Sequence, residues 1–417
     1  MRILWFTSTP SLAASHLNAD AKMTGWVDSL EKHLSGVKDI TLGVAFPFGY
    51  EKSDAFTIGT TTYFPVQNIK EKGKYSGIFD RWRHIIEPET IVNRYLDVIN
   101  QFKPDLIHIF GSEAPFGLII NQTQVPVVVQ IQGNLSVCTL KYFSGFSLYD
   151  SLIHSNKKSF ILGYSTWHQY FTFKKRAARE LAFMKACRFV IGRTDWDRSV
   201  TRIIAPGSRY FKCDEILRDP FYQVAWTMPE HNKFILFSTL SGSTYKGFET
   251  ILLCADILKG KMNFDFEWHI AGIDESHEII SIIEKTWKKK FRENNVRFRG
   301  SMKADELVSN MLQSDCFVHP SHIENSPNSV CEAMMLGLPT IATRAGGTAS
   351  IFTDGEDGIL VQDGDPYSMA GAILQLSSSP DLKSGFSDKS RRKSFIRHDP
   401  RRIITDLIKI YNSIIES

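Results

Sequence analysis

Two carboxylates and a lysine are the residues of this sequence best placed to do chemistry. Glu324 and Glu332 are separated by seven residues in the stretch 322–340, HIENSPNSVCEAMMLGLPT. Ser326 suits an N-cap, Pro327 the first helical position, and Gly337 with Pro339 a stop, so the spacing predicts a helix over about 327–336. Glu324 then lies in the loop before that helix. The helix's first N–H groups, at Asn328 and Ser329, and its dipole favour an anion such as a phosphate. Glu332, about 7.5 Å further along the axis than Pro327, is placed to accept hydrogen bonds from hydroxyls on a group attached to that phosphate. In FILFSTLSGSTYKGFETILLCADIL, residues 234–258, Lys246-Gly247 falls where a strand's loop meets the next helix, and a lysine there can neutralise a diphosphate. A glycine-bearing turn, Ala345-Gly346-Gly347-Thr348, follows another strand. Taken singly, each feature also suits an ordinary role, since glutamates favour the positive end of any helix and loop lysines are commonly solvated. Together they bring three loops of one sheet to one place.

Elements able to hold such loops follow from the hydropathy pattern. Short β-branched runs alternate with helical patterns, the signature of parallel sheets with crossover helices. Strands are expected at 3–6, 105–110, 125–131 and 189–192, with a helix over 25–34 that has Trp26, Leu30 and Leu34 on one face. Residues 204–232 contain Pro206, Gly207, Pro220 and Pro229 without clean periodicity and read as a linker. The alternation restarts with strands at 234–237, 266–270, 296–298, 316–318 and 340–342. Two Rossmann-like domains result, 1–210 and 211–400, followed by a last helix over about 401–415. The length of 417 residues fits two cores. A composition of 43% hydrophobic and 23% charged residues is that of an ordinary globular protein, and the net charge of +4 gives no reason to expect nucleic acid as a partner. The six cysteines show no close Cys-x-x-Cys pair, so neither a zinc site nor a disulfide framework is expected and a reducing compartment fits. No apolar run approaches the ~20 residues that span a bilayer. A cytoplasmic protein is expected.

The ordered run Glu324-x7-Glu332 with Ala333, then Gly337-Leu338-Pro339, Gly346-Gly347-Thr348 and Asp354-Gly355-Glu356-Asp357-Gly358 resembles the retaining glycosyltransferases of family 4. The resemblance is strongest over 234–365 and implies the GT-B fold: an α/β protein of two facing Rossmann-like domains with a cleft between them and a C-terminal helix crossing back. It further implies that Glu324 lies near the donor sugar, that Glu332 binds the nucleotide ribose, and that Lys246 contacts the diphosphate. Ser326, Asn328, Ser329, Ser241, Gly347 and the first-domain loop carrying Gly25 complete the implied donor set. Gln132, Asn134 and Arg193 are the implied contacts of acceptor or sugar. Ser241 stands where many members carry an arginine, and Gln132-Gly133-Asn134 where many carry a histidine, while Ser350 replaces a frequent glutamate. Gln132 can hydrogen-bond a sugar but cannot act as an acid or base near neutral pH. The stretches Arg193-Thr194-Asp195 and Cys213-Asp214-Glu215-Ile216-Leu217-Arg218 resemble a branch found in bacterial surface-polysaccharide pathways.

The chemistry so implied needs no cofactor. A UDP- or GDP-linked sugar is the co-substrate, and a saccharide or lipid-linked saccharide is the acceptor. Negative charge grows on the β-phosphate as the sugar becomes oxocarbenium-like; Lys246 and the helix end at Asn328 oppose the first, and Glu324 favours the second. Asp363-Gly364-Asp365 follows a strand near a turn, where aspartates serve conformation, so no catalytic metal is expected. Three rival readings reuse the architecture: a two-lobed sugar-binding protein, a nucleotide-sugar epimerase or phosphorylase, and an inactive regulatory subunit lacking the usual arginine and histidine. Lys174, Lys175, Arg176, Arg179, Lys185 and Arg188, interleaved with Phe173, Leu181, Phe183 and Met184, form a basic amphipathic stretch. Its face suits either anionic lipid on the inner side of the plasma membrane or packing on its own sheet.

Overall fold

A computed structural model describes residues 1–17, 25–49, 54–67, 76–88 and 90–417. The chain forms two compact units: Met1–Thr139, Tyr170–Ile216 and His398–Ser417 in the first, Leu140–Gln169 and Leu217–Arg397 in the second.

The first unit is built on β1 (Arg2–Phe6), β2 (Thr41–Pro47), β3 (Phe56–Ile58), β4 (Thr61–Val66), β5 (Leu106–Phe110), β6 (Val127–Gln130), β7 (Phe189–Gly192) and β8 (Arg209–Lys212). Their order across the sheet is β3-β4-β2-β1-β5-β6-β7-β8, parallel except for the edge strand β3. Successive side chains of a strand face opposite ways, and β1 shows the consequence. Ile3 and Trp5 enter one apolar layer, Leu4 and Phe6 the other. The helix Pro400–Ile415 buries Ile403, Leu407, Ile410, Tyr411 and Ile414 at helical spacing in the layer that holds Trp5. Trp5 Nε1 donates to Tyr411 Oη at 3.1 Å, and His108 Nδ1 lies 2.7 Å from the same oxygen. Burial pushes the His108 imidazole down to about 3, so it packs uncharged.

The second unit carries β9 (Phe234–Thr239), β10 (Phe266–Ala271), β11 (Val296–Gly300), β12 (Cys316–His319), β13 (Thr340–Thr343) and β14 (Ile359–Val361). All are parallel, in the order β11-β10-β9-β12-β13-β14. Counted within the unit this is 3-2-1-4-5-6, the doubly wound order whose direction reverses between the first and fourth strands. That switch point, where such sheets bind ligands, falls between β9 and β12. Leu236, Ile270 and Val318 face one apolar layer, while Phe237, Ala271 and Phe317 face the other.

Three boundaries differ from the expected ones. The division falls at Ile216/Leu217, because 209–212, within the expected linker, is the edge strand β8 paired to β7. Its alternation is too short to stand out beside Pro206 and Gly207. Residues 140–169 belong to the second unit although they lie within 1–210. They contribute no strand, and they pack onto the helix Glu278–Trp287: Glu278 accepts from Asn156 N at 3.2 Å and Thr166 N at 2.8 Å, and Trp287 Nε1 donates to Gly145 O at 3.0 Å. Lastly, β2, β3 and β4 complete the first sheet over residues for which no strand was expected, while β14, Ile359–Val361 beside β13, is the strand that precedes Asp363-Gly364-Asp365.

Candidate active site

The loops that follow β9 and β12 are locked together by their backbones. After β9 a short 3-10 turn, Thr244–Lys246, leads to Gly247 at φ +75°, which opens the helix Phe248–Gly260. A Cβ at Gly247 would collide with the Pro320 carbonyl, so only glycine lets the two loops approach this closely. His322 N–H then donates to Tyr245 O at 2.8 Å. The His322 ring is itself fixed, with Nε2 2.6 Å from Glu249 Oε1 and Nδ1 3.5 Å from Asp363 Oδ2. Burial opposes its charge, but the two carboxylates carry its pKa above the usual range. Lys141 Nζ donates to Asp363 at 3.0 Å. Asp365 caps the helix Pro366–Ser377 by accepting from Tyr367 N and Ser368 N, both at 3.0 Å.

Within this frame the lysine and the first glutamate meet: Lys246 Nζ donates to Glu324 Oε1. Ser321 Oγ donates to the same oxygen at 3.0 Å, and His319 Nε2 lies 3.4 Å away. Burial alone would raise the Glu324 carboxyl, but Lys246 and His319 hold it well below the usual carboxylate range. Glu324 is therefore an anion at every physiological pH. Its backbone is fixed by the glycine turn, since Gly347 N–H donates to Glu324 O at 2.9 Å and Gly346, at φ +54°, leaves no room for a Cβ beside that carbonyl. Gly347, assigned to the donor set by resemblance, thus has its N–H occupied and acts on the site through Glu324.

The helix that follows Glu324 and carries Glu332 spans Asn328–Leu336, with Pro327 at its N-cap. Ser326 was the expected cap and Pro327 the expected first residue. Pro327 instead has ψ 108°, an extended value that delays the helix by one residue. The Ser326 hydroxyl accepts from Arg397 Nη2 at 3.3 Å. Among the described residues the backbone N–H groups of Asn328 and Ser329 have no hydrogen-bond partner, as the first turn of a helix requires. One turn on, Glu332 is nearly fully buried and accepts a fork from Arg218, Nε to Oε1 at 2.7 Å and Nη2 to Oε2 at 2.8 Å. Burial raises the Glu332 carboxyl and Arg218 opposes the rise. Ser241 is exposed and supplies no charge where an arginine is common.

In the first unit the expected residues stand in a different setting. Gly25 is the extended N-cap of the helix Trp26–Leu34, its N–H 3.3 Å from Asp28 Oδ2, and a Cβ there would meet nothing. No steric need for glycine exists at that position, and residues 18–24 just before it lie outside the described residues. Arg193, expected to contact acceptor or sugar, is buried: Nη1 lies 3.5 Å from Glu215 Oε2, Nη2 donates to Gln132 O at 3.4 Å, and the guanidinium sits 5.2 Å from the Trp26 ring. It compensates a carboxylate of its own unit that is fully shielded from solvent. Asn134 is fully buried with neither side-chain polar atom hydrogen-bonded among the described residues. Near it in sequence, Ser136 N donates to Glu180 Oε2 at 3.2 Å and Ser112 Oγ donates to Oε1. Burial lifts the Glu180 carboxyl to about 7. Arg179, counted in the basic stretch, is also buried and pairs with Glu87, which removes it from any exposed basic face.

His319, Glu180, Glu249 and His322 were not given a site role from sequence, and Arg218 and Asp363 stood there only as members of longer stretches. Of the first four, His319 carried a signal, since it ends β12 and so opens the loop that holds Glu324.

The family model for glycosyl transferases group 1 matches residues 223–393, which lie within the second unit and include Lys246, Glu324 and Glu332. The second unit is a group 1 glycosyltransferase domain. The chain is also similar to a 2-deoxystreptamine N-acetyl-D-glucosaminyltransferase of Niallia circulans, 26% identical over 168 residues, which are 40% of this chain and 42% of that protein. The chain thus spans about two fifths of the length of that curated relative. Solved structures match over the whole length. A sucrose-phosphate synthase from Thermosynechococcus elongatus aligns with a TM-score of 0.72 at 13% identity, over 100% of this chain and 99% of that one. Anabaena HepE, solved with UDP and glucose, aligns with a TM-score of 0.67 at 15% identity, over 99% and 100%. At such identities the likeness establishes the fold: the glycosyltransferase domain is one of the two Rossmann-like domains of a GT-B chain.

Proposed function

We propose that the chain is a retaining glycosyltransferase that moves a sugar from a nucleoside-diphosphate sugar, UDP- or GDP-linked, to a saccharide or lipid-linked saccharide in surface-polysaccharide synthesis. The observation that carries this reading is the Lys246–Glu324 pair, set at the switch point of the second sheet beside the open N–H groups of Asn328 and Ser329. A diphosphate at that helix end draws Lys246 to itself, and the two N–H groups and the ammonium oppose the charge that builds on the leaving β-phosphate. Glu324, still held by Ser321 and beside His319, remains ionised and favours the positive character of the departing sugar. Glu332 accepts the ribose hydroxyls. Attack by the acceptor on the face that the diphosphate leaves preserves the anomeric configuration, and no step calls on a metal. UDP in the HepE structure and the transfer of N-acetylglucosamine named for the Niallia relative support a nucleotide sugar as donor. A membrane-linked acceptor fits the exposed side chains of Lys174, Lys175 and Arg176 on the helix Thr166–Met184, which suit anionic lipid on the cytoplasmic face of a membrane. No helix among the described residues is long and apolar enough to cross one. The test is a screen of nucleotide sugars by thermal shift, followed by a release assay in which free nucleoside diphosphate appears only when acceptor is present.

A further inference from the structure

A strap of the second unit, residues 217–226, runs along the helix Asn328–Leu336. Phe221 and Trp226 are buried against Val330, Met334 and Met335 in one apolar cluster. Trp226 N–H donates to Leu336 O at 2.7 Å, and its Nε1 donates to Ser314 O at 2.7 Å. Leu217 N–H donates to Tyr222 Oη at 3.0 Å. Trp226 thus pins one end of the strap, the Leu217–Tyr222 bond folds the other end on itself, and near that second end the strap presents the Arg218 fork to both oxygens of Glu332. The guanidinium also lies 5.0 Å from the Phe221 ring, which restricts its swing.

We propose that Arg218 is a positioning residue for the donor: its bidentate fork holds the Glu332 carboxylate in one orientation and keeps it an anion, so that each oxygen offers its second lone pair to the donor's hydroxyl pair. This rests on the reading above, in which Glu332 receives the ribose. A carboxylate oxygen has two lone pairs, and the fork uses one on each. A diol donates two hydrogen bonds and so needs both remaining positions. A protonated carboxyl turns one of them into a donor. Glu332 is 6% exposed, and burial already raises its pKa with Arg218 present. Loss of that arginine removes the group that offsets the burial, so the protonated form gains ground as pH falls. Lysine at 218 would supply charge without the fork.

The experiment titrates full-length protein calorimetrically with UDP and with GDP from pH 6 to 9, comparing wild type, R218M, R218K, E332Q and R218M/E332Q, each checked for a cooperative melt. For whichever nucleotide the wild type binds, R218M is expected to weaken binding about tenfold at neutral pH, the scale of one hydrogen bond to a charged group. The loss should deepen toward pH 6 and shrink toward pH 9, while wild type and R218K stay flat. R218M/E332Q should bind no more weakly than E332Q, because Arg218 acts through Glu332. Additive losses in the double variant, or a pH-independent loss in R218M, would overturn the inference while leaving the donor site intact. Should R218M fail to melt cooperatively, the decision passes to R218K, in which binding as tight as wild type's would overturn a role for the fork. Wild type that binds neither nucleotide, or E332Q that binds as wild type does, would overturn the donor reading together with the inference.

Discussion

Replacing Lys246 by alanine removes the lysine that touches Glu324, and two consequences can be worked from the geometry. The first concerns the leaving group. A positioned electrostatic group aimed at developing charge is worth roughly 10²- to 10³-fold in rate, or about 3–4 kcal/mol, and Ser241 provides no second cation on the same loop. Lys246→Ala is therefore expected to lower kcat/KM by roughly 10²-fold or more. The second concerns Glu324. Burial raises its carboxyl, while Lys246 and His319 lower it; with the lysine gone, burial meets less opposition and the pKa climbs. The depressed wild-type value means that Glu324 loses its charge only in strong acid, so kcat/KM of the wild type should show no acid limb from this group between pH 5 and 8. In Lys246→Ala an acid limb should enter that window, with activity falling as pH falls. Glu324→Gln keeps the shape and loses the charge, so it should be comparably damaging with no such limb. Ser241→Arg, restoring a cation to the loop, should recover part of the Lys246→Ala loss. The assay is coupled release of nucleoside diphosphate at saturating acceptor. Turnover within about threefold of wild type in both Lys246→Ala and Glu324→Gln, well short of the loss such groups produce, would refute the reasoning; failure of the Ser241→Arg rescue alone would speak only to the path of that loop.

Other consequences are equally concrete. Glu332→Ala should raise the donor KM with kcat nearly unchanged, since ribose contacts exist in ground and transition states alike, and steady-state kinetics would show the split. Gly346→Ala should lower both the melting temperature and kcat/KM, because a Cβ there strikes the Glu324 carbonyl and displaces the carboxylate with it; calorimetry and the release assay read the two effects. Exchange of Lys174, Lys175 and Arg176 for glutamine should reduce sedimentation with acidic vesicles at low salt and leave turnover of a soluble acceptor intact.

How much of this was legible in the sequence follows from the distance over which each signal acts. Glu324, Glu332 and Lys246 could be found because the helix stop at Gly337-Leu338-Pro339 and the strand-to-helix handover at Lys246-Gly247 are local, and local signals survive in one dimension. The N-cap was misplaced by one residue because proline fixes φ but not ψ, and Pro327 adopts the extended ψ that Ser326 was expected to hold. Arg218 could not be paired with Glu332, since 114 positions separate them and the strap carrying the arginine has the composition of a linker. Residues 140–169 look like any polar helical insertion, and the residues that bind them to the second unit, among them Glu278, Trp287 and Asp363, lie far along the chain. Arg193 drew notice as a cation beside a motif, yet its partner Glu215 makes it a buried counter-charge. Most strands of both sheets were read from short apolar runs, but β2, β3, β4 and the edge strand β8 of the first sheet were not; for β3 and β8 the reason is that pairing on a sheet's rim demands little of the side chains.

In the proposed reaction the Lys246–Glu324 site stabilises a departing nucleoside diphosphate while a sugar moves to an acceptor. One measurement addresses it most directly: proton NMR of the reaction of full-length protein with a nucleotide sugar identified by the thermal-shift screen, with and without acceptor. Free nucleoside diphosphate and a new glycosidic signal of the donor's own anomeric configuration should appear together, only when acceptor is present, and both should fall by roughly 10²-fold or more in Lys246→Ala. Free nucleoside diphosphate released at the same rate without acceptor, a product of inverted configuration, or full product formation by Lys246→Ala would contradict it.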